Sequence, residues 1–150
     1  MSLALLAASA ALLAAPAPQA TLKALNDARA EHGVPPLRAD ARLARAARGH
    51  SRDMVRRRYF DHVAPGGATL STRVKRSGWT RGRRSWALGE DLAWGTGSLS
   101  VPDAVVAAWM DSRPHRHNVL DRRFRVVGIG IAPGTPFGDT GATFTADFGS

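Results

Sequence analysis

The chain has 150 residues, 44% hydrophobic and 22% charged, which bounds it to one domain with room for a real core and excludes a disordered or fibrous polymer. It contains no cysteine, so disulfide frameworks, thiolate metal sites and cysteine nucleophiles are excluded, and a metal would need His and carboxylate ligands. The formal charge of +9 rests on arginine, Lys23 and Lys75 being the only lysines; such an excess favours acidic partners, although a compositional bias raising Arg and Ala together accounts for it without one.

Residues 1–20 are rich in Ala and Leu and carry no charged side chain. Leu3 to Ala15 has the length of a signal-peptide core and falls short of the roughly 18 apolar residues of a spanning helix. The expectation is a signal peptide or apolar leader over 1–20, ahead of a domain over 21–150, and hence a secreted, extracellular protein. Against it, no Lys or Arg precedes the apolar run and no clean small-x-small cleavage site follows; the alternative is a buried N-terminal helix.

Thr21 to His32 reads as a helix capped by Thr21, with Leu22, Leu25 and Ala28 on one side and Gly33 at its end. Val34-Pro35-Pro36-Leu37 forces an extended link, after which Asp40 can cap a longer helix from Ala41 to about Arg58. In that helix Leu43, Ala47, His50 and Met54 share one face, while Arg42, Arg45, Arg52 and Arg56 form a stripe on the other. Such a stripe reads as a solvated face or as a grip for acidic groups, and His50 reads as a hydrogen-bonded wall residue. Thr69 to Ser77 is a short helix with Thr69 as cap, Leu70 and Val74 inward and Gly78 as stop. Ser100 can cap a helix that has Pro102 and Asp103 in its first turn and Val105, Val106 and Trp109 as its buried stripe. The end of the chain is β: Val126 to Ile131 and Thr143 to Phe148 alternate as strands, joined through the turn residues 133–141. Helices first and strands last give an α+β arrangement with helices laid on a sheet.

The chemistry-bearing residues gather around three stretches: Phe60-Asp61-His62, Gly89-Glu90-Asp91, and Trp109 to Leu120. His32 sits at a helix end and His117 reads as exposed, whereas His62 and His115 each fall in a turn just past a helix, where a rigid scaffold positions functional groups. Glu90, one of two glutamates with Glu31, lies in an apolar run and needs a partner: an Arg, or His62 or His115. A Glu–His pair could fix the tautomer of a metal-binding imidazole or move a proton, and a structural hydrogen-bond cluster is the plainer reading. No H-E-x-x-H and no G-x-S-x-G occurs.

The order of these pieces resembles the CAP superfamily, the domain of cysteine-rich secretory proteins, antigen 5 and pathogenesis-related 1, in its bacterial form. The matching stretches are Asn26-Asp27-Ala28-Arg29, Leu37-Arg38-Ala39-Asp40, Leu43 with Asp53-Met54, Phe60-Asp61-His62 and Gly89-Glu90-Asp91-Leu92-Ala93. They continue with Trp109-Met110, Ser112, His115-Arg116, Asn118-Val119-Leu120, Phe124, Val127-Gly128-Ile129-Gly130 and Asp147-Phe148-Gly149, so that residues 21–150 are covered. The resemblance implies a single-domain, three-layer α-β-α sandwich with a central antiparallel sheet. It implies that His62, Glu90 and His115 line the family's cavity, where some members hold zinc or another divalent cation. It also implies that Asn26, Arg29 and Arg73 tie the first helix and a loop to the body.

Three departures from the family pattern stand out: Ser112 where eukaryotic members carry a second cavity Glu, Pro114 in place of Gly before the cavity His, and Asp91 in place of Asn after Glu90. Asp91 adds negative charge beside Glu90 and is expected to strengthen cation binding or to pair with an Arg. The expected protein is a monomeric, non-enzymatic cleft binding a divalent cation or a small ligand, lipid or cell-wall component, with Ser112, Asp91 and Asn118 supporting the cleft. The alternatives are a metal-dependent hydrolase with Glu90 as base, and a basic module binding acidic polymer or lipid through its arginines. No specific nucleic-acid binding is expected.

Overall fold

Two glycines decide how closely the layers approach. The structure is a computed structural model describing residues 17–150, and the expected hairpin is its centre: β3 (Val126–Pro133) and β4 (Ala142–Gly149) pair antiparallel from Val126 opposite Gly149 to Pro133 opposite Ala142. A Cβ on Gly128 or Gly130 would fall 2.0–2.1 Å from backbone atoms of residues 44 and 48, so α2 (Ala41–Arg57) lies directly on the hairpin's backbone.

β2 (Leu88–Gly95) pairs antiparallel with the outer side of β4. β1 (Arg38–Ala39) pairs parallel with β3, giving the order β1-β3-β4-β2. The expected antiparallel sheet is therefore mixed: the three long strands are antiparallel, and the Pro-rich link delivers two extended residues alongside β3. That Glu90 lies on a strand was not legible either, because Ala87 to Trp94 is apolar without alternation, the pattern of a strand covered on both faces.

One face carries α2 and α3 (Leu70–Arg76), with Leu43, Ala46, Val74 and Trp79 packed together. The other carries α1 (Ala17–Glu31), α4 (Pro102–Asp111) and α5 (Arg113–Leu120) over Leu25, Val105, Trp109, Val119, Phe124, Val127, Phe144 and Phe148. This is the expected α+β, three-layer, single-domain arrangement. Among the described residues no helix is long and apolar enough to cross a membrane.

The caps follow the sequence in part. Asp40 accepts from the backbone N–H groups of Arg42 and Leu43 and also receives the Trp79 indole N–H at 3.2 Å, while the Thr69 hydroxyl accepts from Thr72. Two expected caps fail. Thr21 lies inside α1, which already runs from Ala17, and its hydroxyl donates back to the Ala17 carbonyl. Ser100 belongs to a 3-10 turn (Gly97–Ser100), so Val101 occupies the cap position of α4 without a side-chain bond. Residues 1–16 of the expected leader lie outside the described residues; 17–20 form the first turn of α1.

Asn26 and Arg29 hold α1 to the body as expected. Asn26 exchanges two hydrogen bonds with the backbone of Leu37. Arg29 is fully buried and donates to the carbonyls of Pro35, Val119, Asp121 and Phe124, fixing the turn out of α5. Unpaired, such a charge would be costly to bury; four acceptors satisfy its fork.

Candidate functional site

His62 is positioned by two backbone anchors, one on its own carbonyl and one on that of Asp61. α2 ends at Arg58 in the left-handed region (φ 57°), and the chain turns back so that the buried His50 can donate from Nε2 to the Asp61 carbonyl at 2.9 Å. Arg73 Nη1 donates to the His62 carbonyl at 2.8 Å. His50 is thus the expected hydrogen-bonded wall residue, and burial lowers its pKa, keeping it neutral. With its backbone held, His62 turns its ring onto β2: Nδ1 lies 2.8 Å from Glu90 Oε1.

Glu90 points to the α2 face and is buried there, its side chain 2% exposed. Its second oxygen accepts from Arg73 Nη2 at 2.5 Å. The two partners posed as alternatives for Glu90, an arginine or a histidine, are therefore both present. Burial pushes the Glu90 carboxyl up, but the His62 hydrogen bond and the Arg73 charge prevail and hold it below the usual carboxylate range. The His62 ring, hydrogen-bonded to that carboxylate, has its pKa raised, and more than half of its side chain faces solvent.

A third carboxyl completes the buried group. Asp147 stands directly opposite Glu90 in the β2–β4 register and is fully buried. As a carboxylate neither of its oxygens would have a hydrogen-bond partner. Burial and the neighbouring Glu90 charge raise its pKa well above the usual range, which favours the neutral, protonated acid. Glu90 therefore stays ionised between an imidazole, a guanidinium and a protonated acid.

Asp91 does not join this group. The two-residue period of a strand sends it to the opposite face, where Asn118 Nδ2 donates to its Oδ1 at 2.8 Å and Oδ2 is buried without a partner. Burial raises its pKa to about 7. The expectation that Asp91 brings negative charge to a cation or pairs with an arginine is corrected: among the described residues its side-chain partner is the Asn118 amide, and below neutral pH it is largely protonated. Asn118 Nδ2 donates to both the Asp91 carboxyl and the Glu90 carbonyl.

His115 lies in the first turn of α5 and not in a turn past a helix; Pro114 at N2 lacks only an N–H that a helix start leaves unpaired in any case. Its ring is half-buried, and burial together with the charge of His62 lowers its pKa. The structure thus joins His62 to Glu90 by hydrogen bond and brings His115 within electrostatic reach of His62. Ser112 links α4 to α5 and makes no side-chain capping bond, and His117 is exposed as expected.

The donor set bears on a metal. Both Glu90 oxygens are taken by protein partners, and among the described residues no three His, Asp or Glu side chains are grouped to hold an ion. What remains outward is the His62 ring, with Glu90 bracing its Nδ1 side as a carboxylate braces metal-binding histidines. Among the described residues a closed three-ligand site is not formed.

Sequence reasoning missed Arg73 as the counter-ion of Glu90 and Asp147 as its buried cross-strand neighbour. Thr143, Thr145 and Asp147 form the polar side of the alternating strand, and all three are fully buried under α2. Gly128 and Gly130 on the paired strand were the available signal that a helix comes down on that face.

The profile of the family described as "CAP: Cysteine-rich secretory protein family" matches residues 22–148. Among curated proteins, the uncharacterized protein YkwD of Bacillus subtilis is 32% identical over 123 residues, covering 82% of this chain and 43% of that protein. The uncharacterized membrane protein YlbC of the same organism is 31% identical over 106 residues, covering 71% and 29%. This chain therefore spans less than half the length of these relatives. Among solved structures, an extracellular protein containing an SCP domain from Bacillus anthracis superposes with a TM-score of 0.68 at 32% identity, covering 87% of this chain and 39% of that one. An outer surface protein of Borrelia burgdorferi gives 0.72 at 20% identity, covering 88% and 90%, a likeness of fold alone.

Proposed function

Because the chain belongs to the CAP, or cysteine-rich secretory protein, family, we propose that it is a secreted binding module whose cleft takes a small ligand on the imidazoles of His62 and His115, a divalent cation being the ligand its donors suit best. The extracellular description of the Bacillus anthracis protein and the apolar leader support export.

The observation that carries the reading is the His62–Glu90 hydrogen bond. It occupies Nδ1 at 2.8 Å and leaves Nε2 of a half-exposed ring as the atom offered to a ligand. His62 and His115 would hold the cation, and Glu90 would brace the first of them without touching it. A bound cation would polarise an oxygen of whatever small molecule filled its open positions.

The same geometry counts against a hydrolase with Glu90 as base. A general base must reach a reacting proton; Glu90 is turned inward, has both oxygens engaged and is held below the ordinary carboxylate pKa.

Zinc titration by calorimetry tests the reading on the wild type, His62→Ala and His115→Ala. Binding is expected in the wild type, lost in either variant, and stronger at pH 7.5 than at pH 6, because the cation displaces a proton whose pKa on His62 is raised. Absence of heat in the wild type at pH 7.5, or heat that survives both substitutions, would overturn it.

A further inference from the structure

The arginine stripe of α2 does not simply face water. Arg45, Gly49, Arg52 and Arg56 run along one side of α2 and face α3 across a groove of about 920 Å³, which the Gly66-Gly67 turn also lines. Six arginines line it, Arg45, Arg52, Arg56, Arg57, Arg73 and Arg76, against one acid, Asp53. Arg56 and Arg57 share Asp53 at 2.8 and 3.3 Å, and Arg73 is spent on Glu90. Among the described residues Arg45, Arg52 and Arg76 have no acidic partner, so three unneutralised guanidinium groups face one concavity.

Gly49 gives an independent sign that the concavity is kept open. A glycine inside a helix costs about 1 kcal/mol relative to alanine, and it is usually required where something packs against it. Here a Cβ would meet nothing within 4 Å. Packing does not demand this glycine, and any larger side chain would stand in the groove, whose floor is otherwise Ala46, His50 and Ser77.

The spacing of the free cations sets the size of the ligand. Seven residues separate Arg45 from Arg52, about 10 Å along a helix at 1.5 Å per residue, and Arg76 stands across the groove on the end of α3. One phosphate cannot span them, whereas a chain of anionic groups can, each guanidinium fork matching two phosphate oxygens. No Trp, Phe or Tyr lines the groove, so bases of a single-stranded nucleic acid would find no stacking platform. The concave, small-residue floor is likewise unsuited to lying on a membrane, which is bound through an exposed apolar face.

We propose that the α2–α3 groove binds a linear, non-nucleotide phosphate polymer through Arg45, Arg52 and Arg76.

Inorganic polyphosphate, titrated into the full chain at 0.15 M salt, is the test. The triple variant Arg45→Ala, Arg52→Ala, Arg76→Ala is compared with the charge-matched Arg38→Ala, Arg84→Ala, Arg125→Ala, whose sites are exposed and outside the groove. The groove variant is expected to lose about tenfold or more in affinity and to flatten the salt dependence, with the control changing less than about threefold. Gly49→Leu keeps every charge, fills the floor, and is expected to weaken binding while circular dichroism stays unchanged. Equal losses in the two triple variants would reduce the effect to net charge and overturn the proposal. So would unchanged affinity in Gly49→Leu, absence of polyphosphate binding by the wild type, or tighter binding to oligo-dT or to phosphatidylglycerol vesicles than to polyphosphate.

Discussion

Glu90 and Asp91 are adjacent on one strand and both buried, yet their pKa values move in opposite directions. Glu90 faces α2, where Arg73 and His62 take its two oxygens and hold it ionised. Asp91 faces α5, where an amide is its side-chain partner and burial raises its pKa to about 7. Burial opposes ionisation on both faces; the difference lies in which face a cation can reach. The ladder therefore sorts the chemistry, placing a fixed negative charge behind His62 and a near-neutral acid behind Asn118.

Removing the cation from the charged side should have the largest effect. Arg73→Ala leaves Glu90 buried and without its arginine, and is expected to cost on the order of 3–5 kcal/mol in urea unfolding at pH 7. A loss below about 1 kcal/mol would mean that Glu90 is neutral and the two faces are alike. The opposite side should respond with the opposite sign. The folded-state pKa of Asp91 lies above its unfolded value, so the folded state binds more protons between about pH 4 and 7, and stability from this group falls as pH rises through that window. Asp91→Asn should therefore stabilise the protein at pH 8, on the order of 1–3 kcal/mol, and change little at pH 4, as read from denaturant midpoints at the two pH values. A destabilisation at pH 8 would place beside Asp91 a cation that the described residues do not supply. The smallest effect belongs to Ser112, which caps nothing: Ser112→Ala should stay within about 0.5 kcal/mol. A larger loss would give it a role in the cleft.

The sequence was most legible where a local rule decides. The face of α2, the caps Asp40 and Thr69, and the two alternating C-terminal strands follow from spacing and side-chain chemistry alone. The three stretches bearing His62, Glu90 and His115 were identifiable, and the need of Glu90 for a partner followed from its apolar setting. Partnership itself is a long-range property. Arg73 lies 17 residues from Glu90 and Asp147 is its cross-strand neighbour, pairings created only by the sheet and the α2–α3 layer. Asp91 was misjudged because charge was assigned by sequence adjacency, whereas a strand turns adjacent side chains to opposite faces. The start of α5 was missed because Arg113-Pro114-His115 reads as a turn until Ser112 is seen to begin a helix that tolerates Pro in its first turn.

The central claim is that Glu90 is committed inward and sets the state of the outward imidazole. NMR titration of the His62 and His115 rings in the wild type and in Glu90→Gln tests it most directly. The expected result is His62 titrating above the ordinary value of 6.5 and His115 below it, with His62 falling when Glu90 loses its charge. The stability that His62 contributes would then be full below its unfolded pKa and lost as pH rises through the raised folded one. A His62 that titrates at or below 6.5 in the wild type, or that does not move in Glu90→Gln, would contradict the account.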